Sequence, residues 1–315
     1  KKGSSILMTP YNIGPMVNVI ESLGFKPKFV DINLEDFGPD LIDLRKKIVE
    51  KPSCFLLTYL FGNVPQMDNI LNICKEYNVP IIEDISQSIG SKYKGKLLGK
   101  FGLVSFYSAS LTKYVDGYNG AFILVNSKPL KSSIKEFSQS FLPPDKWRIR
   151  LIITKTLIWN IALNRFFFRF ATYPFLSLLK ISSRKTFEKL LGPSIKFKKN
   201  INLPSYYFED ISNIQCKTIL SSFRKLNELI YRRNIYAQKA HNALKKFDIQ
   251  NGSVITKSEK YKTYWQFLIK VKNTSMARNI LFNHGIETGI TKLPDLSEIY
   301  GVKLDNASKL KRKRI

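Results

Sequence analysis

Acidic residues, cysteine and histidine are all scarce in this chain. Its 315 residues carry 24 Asp and Glu against 51 Lys and Arg, with two His and three Cys. Cys54, Cys74 and Cys216 are odd in number and far apart, which excludes a C-x-x-C metal pair and a disulfide framework and points to a reducing, cytoplasmic setting. His241 and His284 are also far apart, so acid–base chemistry falls to lysine, carboxylate or tyrosine. No signal peptide is visible. The chain opens at Lys1 and stops in "KLKRKRI", so a fragment lacking both ends is expected.

The shortage of acids leaves a net charge of +27, which would draw anions of any kind, from nucleic acid and anionic lipid to phosphorylated small molecules. The basic residues are spread along the whole chain without zinc-finger spacing or an arginine-rich stripe, so no nucleic-acid partner is expected. An apolar content of 44% and an aromatic content of 13% are those of a globular protein.

Short apolar runs alternate with helical patterns over residues 5–126. "KFVDI" (28–32), "CFLLTYL" (54–60), "VPIIEDIS" (79–86), "LVSFYS" (103–108) and "AFILVN" (121–126) read as strands, with helices near 14–23, 38–49 and 66–77. The alternation predicts an α/β fold: a largely parallel sheet covered on both faces by helices, with its ligand crevice beyond the carboxyl ends of the strands. Asp84 and Ser108 fall at such ends. Glu83 and Asp84 are consecutive on one strand, so their side chains face opposite ways and at most one enters a given crevice.

Residues 147–180, "WRIRLIITKTLIWNIALNRFFFRFATYPFLSLLK", are apolar, aromatic and basic at once. The charge-free run Thr156–Asn164 is nine residues, less than half a membrane span. A helical insertion packed on the sheet or on a partner subunit is the preferred reading; an interfacial helix with snorkelling arginines is the alternative. Beyond it, 213–247 reads as one long helix, "YWQFLIKV" (264–271) as a strand, 275–284 as a helix, and "GIETGI" (285–290) as a turn into another strand. The domain expectation is a large α/β unit over 1–135, an apolar, basic insertion or linker over 136–204, and a smaller α+β unit over 205–315.

The segments "FKPKFVDINLEDF" (25–37), "TYLFGNVPQMDNI" (58–70), "VPIIEDISQSIGSKYKGKLLGKFG" (79–102) and "SASLTK" (108–113) resemble the sugar aminotransferases of the DegT/DnrJ/StrS family. The resemblance covers about 5–126 and resumes from about 205. It implies the fold type I architecture of pyridoxal-phosphate enzymes and transfer of an amino group to a nucleotide-linked keto-sugar for cell-surface polysaccharide. It also implies a donor such as glutamate, and a homodimer with composite sites. Residue by residue, it makes Lys113 the lysine of the internal aldimine and the proton shuttle, and Asp84 the carboxylate that keeps the pyridine nitrogen protonated. Gln87 falls beside the ring's phenolic oxygen, Ser108 on the cofactor phosphate, Ile13 where many members stack an aromatic ring, and Gly120 in a Gly-Gly pair. The chemistry asks for a desolvated Lys113 with a lowered pKa. Lys113, in place of the histidine of deoxygenating relatives, favours transamination. Asn119 replaces the first glycine of the pair, and Phe208 and Asp210 replace an asparagine and an arginine, the former a reach to the neighbouring subunit's cofactor. These departures motivate an alternative, a catalytically silent binding or scaffold protein. The phosphate loop would lie upstream of residue 1.

Overall fold

Residues 54–58 are buried at every position, and strands hidden on both faces need neighbours on both edges and helices above and below. A computed structural model of the chain supplies them. It describes residues 3–111, 113–183, 186, 199, 201–246, 262–269, 271, 273–286, 288, 289 and 293–313. The sheet contains β1 (Ser5–Met8), β2 (Lys26–Phe29), β3 (Cys54–Thr58), β4 (Ile81–Asp84), β7 (Val104–Ala109) and β8 (Gly120–Val125), in the order β2-β1-β3-β4-β7-β8. Neighbours run parallel except β7 and β8, which are antiparallel and close one edge. The register sets Thr58 beside Asp84 and Asp84 beside Phe106. This is the α/β sheet that the strand–helix alternation predicts. β1 was missed, and so was the hairpin of β5 (Lys92–Tyr93) and β6 (Lys96–Leu97), although its turn is signalled by Lys94-Gly95, both left-handed.

The crossover helices are amphipathic at helical spacing. In α1 (Gly14–Ser22) Gly14, Val17 and Ile20 face inward; in α2 (Leu41–Ile48) Leu44 and Ile48 do; in α3 (Met67–Glu76) Met67, Ile70, Ile73 and Cys74 do. Asp40 caps α2 by accepting the Asp43 N–H at 2.9 Å. Each fully buried Leu or Ile here contributes about 1.5–3 kcal/mol relative to exposure. Burial also raises the thiol pKa of Cys54 to about 11, so that side chain is core filling.

The second half of the chain returns to the sheet twice. Helix Asn213–Arg224, started by a Ser212–Gln215 capping box, and helix Leu226–Lys246 replace the single helix expected over 213–247; the break falls at Lys225. Near the end, Leu296, Leu304 and Ala307 join Met8, Val17 and Phe29 in one core, and Asp31 accepts the N–H groups of Asn306 and Ala307 at 2.8 and 3.0 Å. Helix Thr274–Asn283 agrees with the expected one. The strand expected at 264–271 is absent among its described residues, because this backbone is held by side chains of the sheet's loops. Of 285–290, Glu287 and Ile290 lie outside the described residues, and the rest form no strand.

Residues 147–180 are helical. They form α5 (Lys146–Leu163), α6 (Arg165–Phe167), a π-helical turn over Phe168–Thr172 and α7 (Tyr173–Ser182). The two arms bend by 61° at Asn164, whose side chain accepts the Phe166 N–H and so starts the second arm. No single helix among the described residues is long and apolar enough to cross a membrane.

Candidate functional site

The carboxyl ends of β4 and β7 meet a strap from late in the chain. Asp84, the last residue of β4, is buried. Its Oδ1 accepts the Ser86 N–H at 2.9 Å, and the Ser86 hydroxyl also donates to it. The same Ser86 oxygen accepts the Ser108 N–H at 3.0 Å, which ties the β4 loop to the end of β7. Lys113 stands in the loop after β7, anchored by its N–H to the Ser110 carbonyl at 3.1 Å. Its ammonium lies 4.0 Å from the ring centre of Trp265.

Lys113 and Asp84 are electrostatically coupled. Burial pulls the Lys113 pKa down to about 8, and the Asp84 charge holds it up against that pull. Asp84 is raised by burial and lowered by Ser86 and by Lys113. A buried acid and a buried amine of lowered pKa therefore share one end of the sheet.

Glu83 faces the other way. Its Oε1 accepts from the Tyr59 hydroxyl at 2.6 Å and the Gly99 N–H at 2.8 Å, and its Oε2 from the Phe101 and Gly102 N–H groups at 2.7 and 2.6 Å. With four donors on its carboxyl, Glu83 is a structural clamp on the "GKFG" loop.

The loop from Lys113 to Gly120 is fixed from both ends. Tyr107 Oη accepts the Val115 N–H at 2.8 Å, and Gln215 donates to the Tyr118 carbonyl at 3.0 Å. A Cβ on Gly117 would stand 2.4 Å from Ile219, so this glycine lets helix Asn213–Arg224 sit on the loop. Tyr118 and Asn119 are both left-handed, and Asn tolerates that conformation better than most residues.

The strap is Lys262–Trp265. Thr263 N–H donates to Ser91 Oγ at 3.0 Å, the two hydroxyls meet at 2.8 Å, and Lys262 donates to Asn63 Oδ1. Helix Leu226–Lys246 holds it from behind: Arg233 donates to the Trp265 carbonyl and Asn234 to that of Lys262, at 3.2 and 3.1 Å. Gly62 has φ +82°, and a Cβ there would sit 1.8 Å from the Thr263 carbonyl oxygen, so the strap's seat requires glycine. Sequence reasoning missed Trp265. Its only local signal was an aromatic in an apolar run, which read as a strand.

The remaining expected site residues divide. Gln87 is buried at the same end, with Oε1 accepting the Phe61 N–H at 2.6 Å, which leaves its amide nitrogen for a ligand. Ile13 precedes α1 and is 43% exposed. Gly120 opens β8 against Ile211. Phe208 and Asp210 lie on a segment bonded to Leu142: the Leu142 N–H reaches the Phe208 carbonyl at 2.7 Å, and the Asp210 N–H the Leu142 carbonyl at 2.8 Å. Among the described residues no cluster of His, Cys, Asp or Glu could hold a metal.

The donor set fits pyridoxal phosphate. An amine neutral near pH 8 suits an aldehyde, and a buried carboxyl without a neutralising contact ion pair suits a basic ring nitrogen that binds as a cation. The unpartnered buried hydroxyl Thr9 Oγ1, just past β1, adds a free polar atom to the carboxyl-end rim.

Comparison with known proteins points to aminotransferases. Residues 1–149 match the DegT/DnrJ/EryC1/StrS aminotransferase family. The chain is 32% identical over 137 residues to the UDP-4-amino-4,6-dideoxy-N-acetyl-beta-L-altrosamine transaminase of Campylobacter jejuni, a match covering 42% of this chain and 36% of that protein. It is 31% identical over 129 residues to the GDP-perosamine synthase of Escherichia coli O157:H7, covering 41% and 35%. The match thus spans little more than a third of these curated relatives. In fold, it is similar to Helicobacter pylori PseC, an aminotransferase involved in the biosynthesis of pseudoaminic acid. That similarity has a TM-score of 0.69 and 18% identity, covering 98% of this chain and 72% of that one. The similarity to that aminotransferase family covers 149 of the 315 residues, a little under half of the chain.

Proposed function

We propose that the protein is a pyridoxal-phosphate-dependent aminotransferase that places an amino group on a nucleotide-linked keto-sugar destined for cell-surface polysaccharide. The observation that carries this reading is the coupling of Lys113 to Asp84 at one buried end of the sheet. When bound, the cofactor supplies a cationic conjugated ring that withdraws electrons from the carbon losing or gaining nitrogen.

Lys113 Nζ is the atom that holds the cofactor and that accepts and returns a proton; its lowered pKa gives it a neutral fraction at neutral pH. Asp84 holds a proton on the ring nitrogen by ionic attraction, oriented by the two bonds from Ser86. Gln87 offers its amide N–H beside the ring, and Ser108 a hydroxyl toward the phosphate. Ile13 gives one apolar wall, and Trp265 closes the other side and excludes water from the amine. Beyond Trp265, an open cavity of about 540 Å³ is lined by Arg233, Tyr236, Tyr264 and Phe267 among others. Its aromatic walls and guanidinium suit a base and a phosphate of the sugar nucleotide. Glutamate as donor and a homodimer belong to the same proposal, supported by the family likeness.

The test is to add pyridoxal phosphate, reduce with borohydride and map the label by mass spectrometry. Label on Lys113, with a visible absorbance that Lys113→Ala abolishes, is the expected result. Colourless protein with label scattered over surface lysines at saturating cofactor sinks the reading in favour of the silent scaffold.

A further inference from the structure

A helix apolar on every side belongs inside a core or in lipid. α5 has neither kind of protein cover: only Ile149 and Thr156 are buried, along one narrow stripe. Exposed apolar side chains continue around the bend and along α7, with Trp147 71% exposed, Phe166 64% and Ile181 85%. This is far more exposed apolar surface than water-facing helices carry.

The charge on this surface identifies what covers it. Residues 146–182 contain seven Lys and Arg and no Asp or Glu. Arg148 is paired with Glu209, whereas Lys146, Arg150, Lys155, Arg165 and Arg169 are exposed. A second copy of the chain would bring the same cations against these and add its own net +27, a like-charge contact across an apolar seam. An anionic lipid surface answers both features at once. It accepts the apolar rings, and its headgroups neutralise the cations.

The lengths suit lying in the interface. The charge-free runs Thr156–Asn164 and Phe170–Leu179 are nine and ten residues. At 1.5 Å per residue each is roughly 14–15 Å, about half the hydrocarbon thickness. The two helices together have the length and composition of a broken span, but Arg165 and Arg169 sit at the bend, where headgroups rather than hydrocarbon suit them, and this favours lying in the interface over crossing.

We propose that the bent pair α5–α7 docks the protein onto an anionic membrane surface, lying in the interface with its basic residues at the headgroups. The homodimer proposed above then uses other faces.

The experiment is flotation of the full 315-residue chain with vesicles of phosphatidylcholine alone and of phosphatidylcholine mixed with phosphatidylglycerol. It is paired with tryptophan emission in a Trp265→Phe background, which leaves Trp147 and Trp159. The protein is expected to float with the mixed vesicles. Its emission should shift to the blue and be quenched by brominated lipid, and part of the binding should survive high salt. Replacing Arg150, Lys155, Arg165 and Arg169 together by Gln lowers the partition coefficient by at least about tenfold. Replacing Phe166, Phe170 and Leu178 by Ser removes the salt-resistant part. Circular dichroism confirms that these surface variants stay folded. Absence of flotation with mixed vesicles at low salt overturns the proposal. So does equal binding to both lipids, or a blue shift that tracks protein concentration without vesicles, the signature of a second copy.

Discussion

Glu83 and Asp84 are adjacent in sequence and opposite in use. On the Glu83 side of the sheet, four donors saturate the carboxyl and fasten a loop. On the Asp84 side, the carboxyl accepts hydrogen bonds from Ser86 alone among the described residues and is coupled to the Lys113 charge. Polar groups that hold a fold are satisfied within it, whereas a group kept for chemistry is left able to answer a ligand. The pleat of one strand separates the two roles.

The strongest break of the comparison is on the Asp84 side. Lys113→Ala is expected to cost about 10²-fold to 10⁴-fold or more in transamination of a keto-sugar nucleotide, the range for a lost proton-transfer group, with little change in urea midpoint. Next comes Glu83→Gln, expected to lower stability by about 1–3 kcal/mol, since it reverses part of a buried bond set. A urea midpoint as high as that of the unmutated chain would remove the clamp from the argument.

The pH dependence of Lys113 acylation sharpens the contrast. Reactivity should rise through pH 8, where the amine loses its proton. Asp84→Asn removes the charge that holds the proton on, so the midpoint should move to lower pH, while Glu83→Gln leaves it in place. Trp265→Ala rehydrates the amine and should move the midpoint up, toward the ordinary lysine range. The same linkage gives a stability slope. Between about pH 8 and the ordinary lysine value the unfolded chain binds more protons, so the fold gains stability as pH rises across that window. The smallest effect is Tyr59→Phe, about 1 kcal/mol for one bond to Glu83, read as a shift in urea midpoint.

What the sequence disclosed and what it hid follow from range. β3, β4 and β7 were legible because their burial is written in consecutive apolar residues, and Lys113 was legible because "SASLTK" (108–113) is one local segment that carries the family resemblance. Trp265 was not legible. Its place over Lys113 is set by Ser91, Gly62 and Arg233, none of them near it in sequence, and its apolar neighbours imitate a strand. The opposed roles of Glu83 and Asp84 could be half read: alternation separates them, but only the loop N–H groups reveal which is the clamp. The exposure of 147–180 was hidden as well, because composition alone serves a core helix and a surface one equally.

The bond between Ser91 and Thr263 spans 172 residues. A ribosome working from the amino end completes every strand of the sheet long before it delivers the piece that shuts over Lys113. In the interval the newborn amine meets bulk water, and any aldehyde dissolved there has free approach to it. Synthesis therefore has a fixed order: until the late segment arrives Lys113 is a hydrated, ordinary lysine, and its lowered pKa comes only with the shelter.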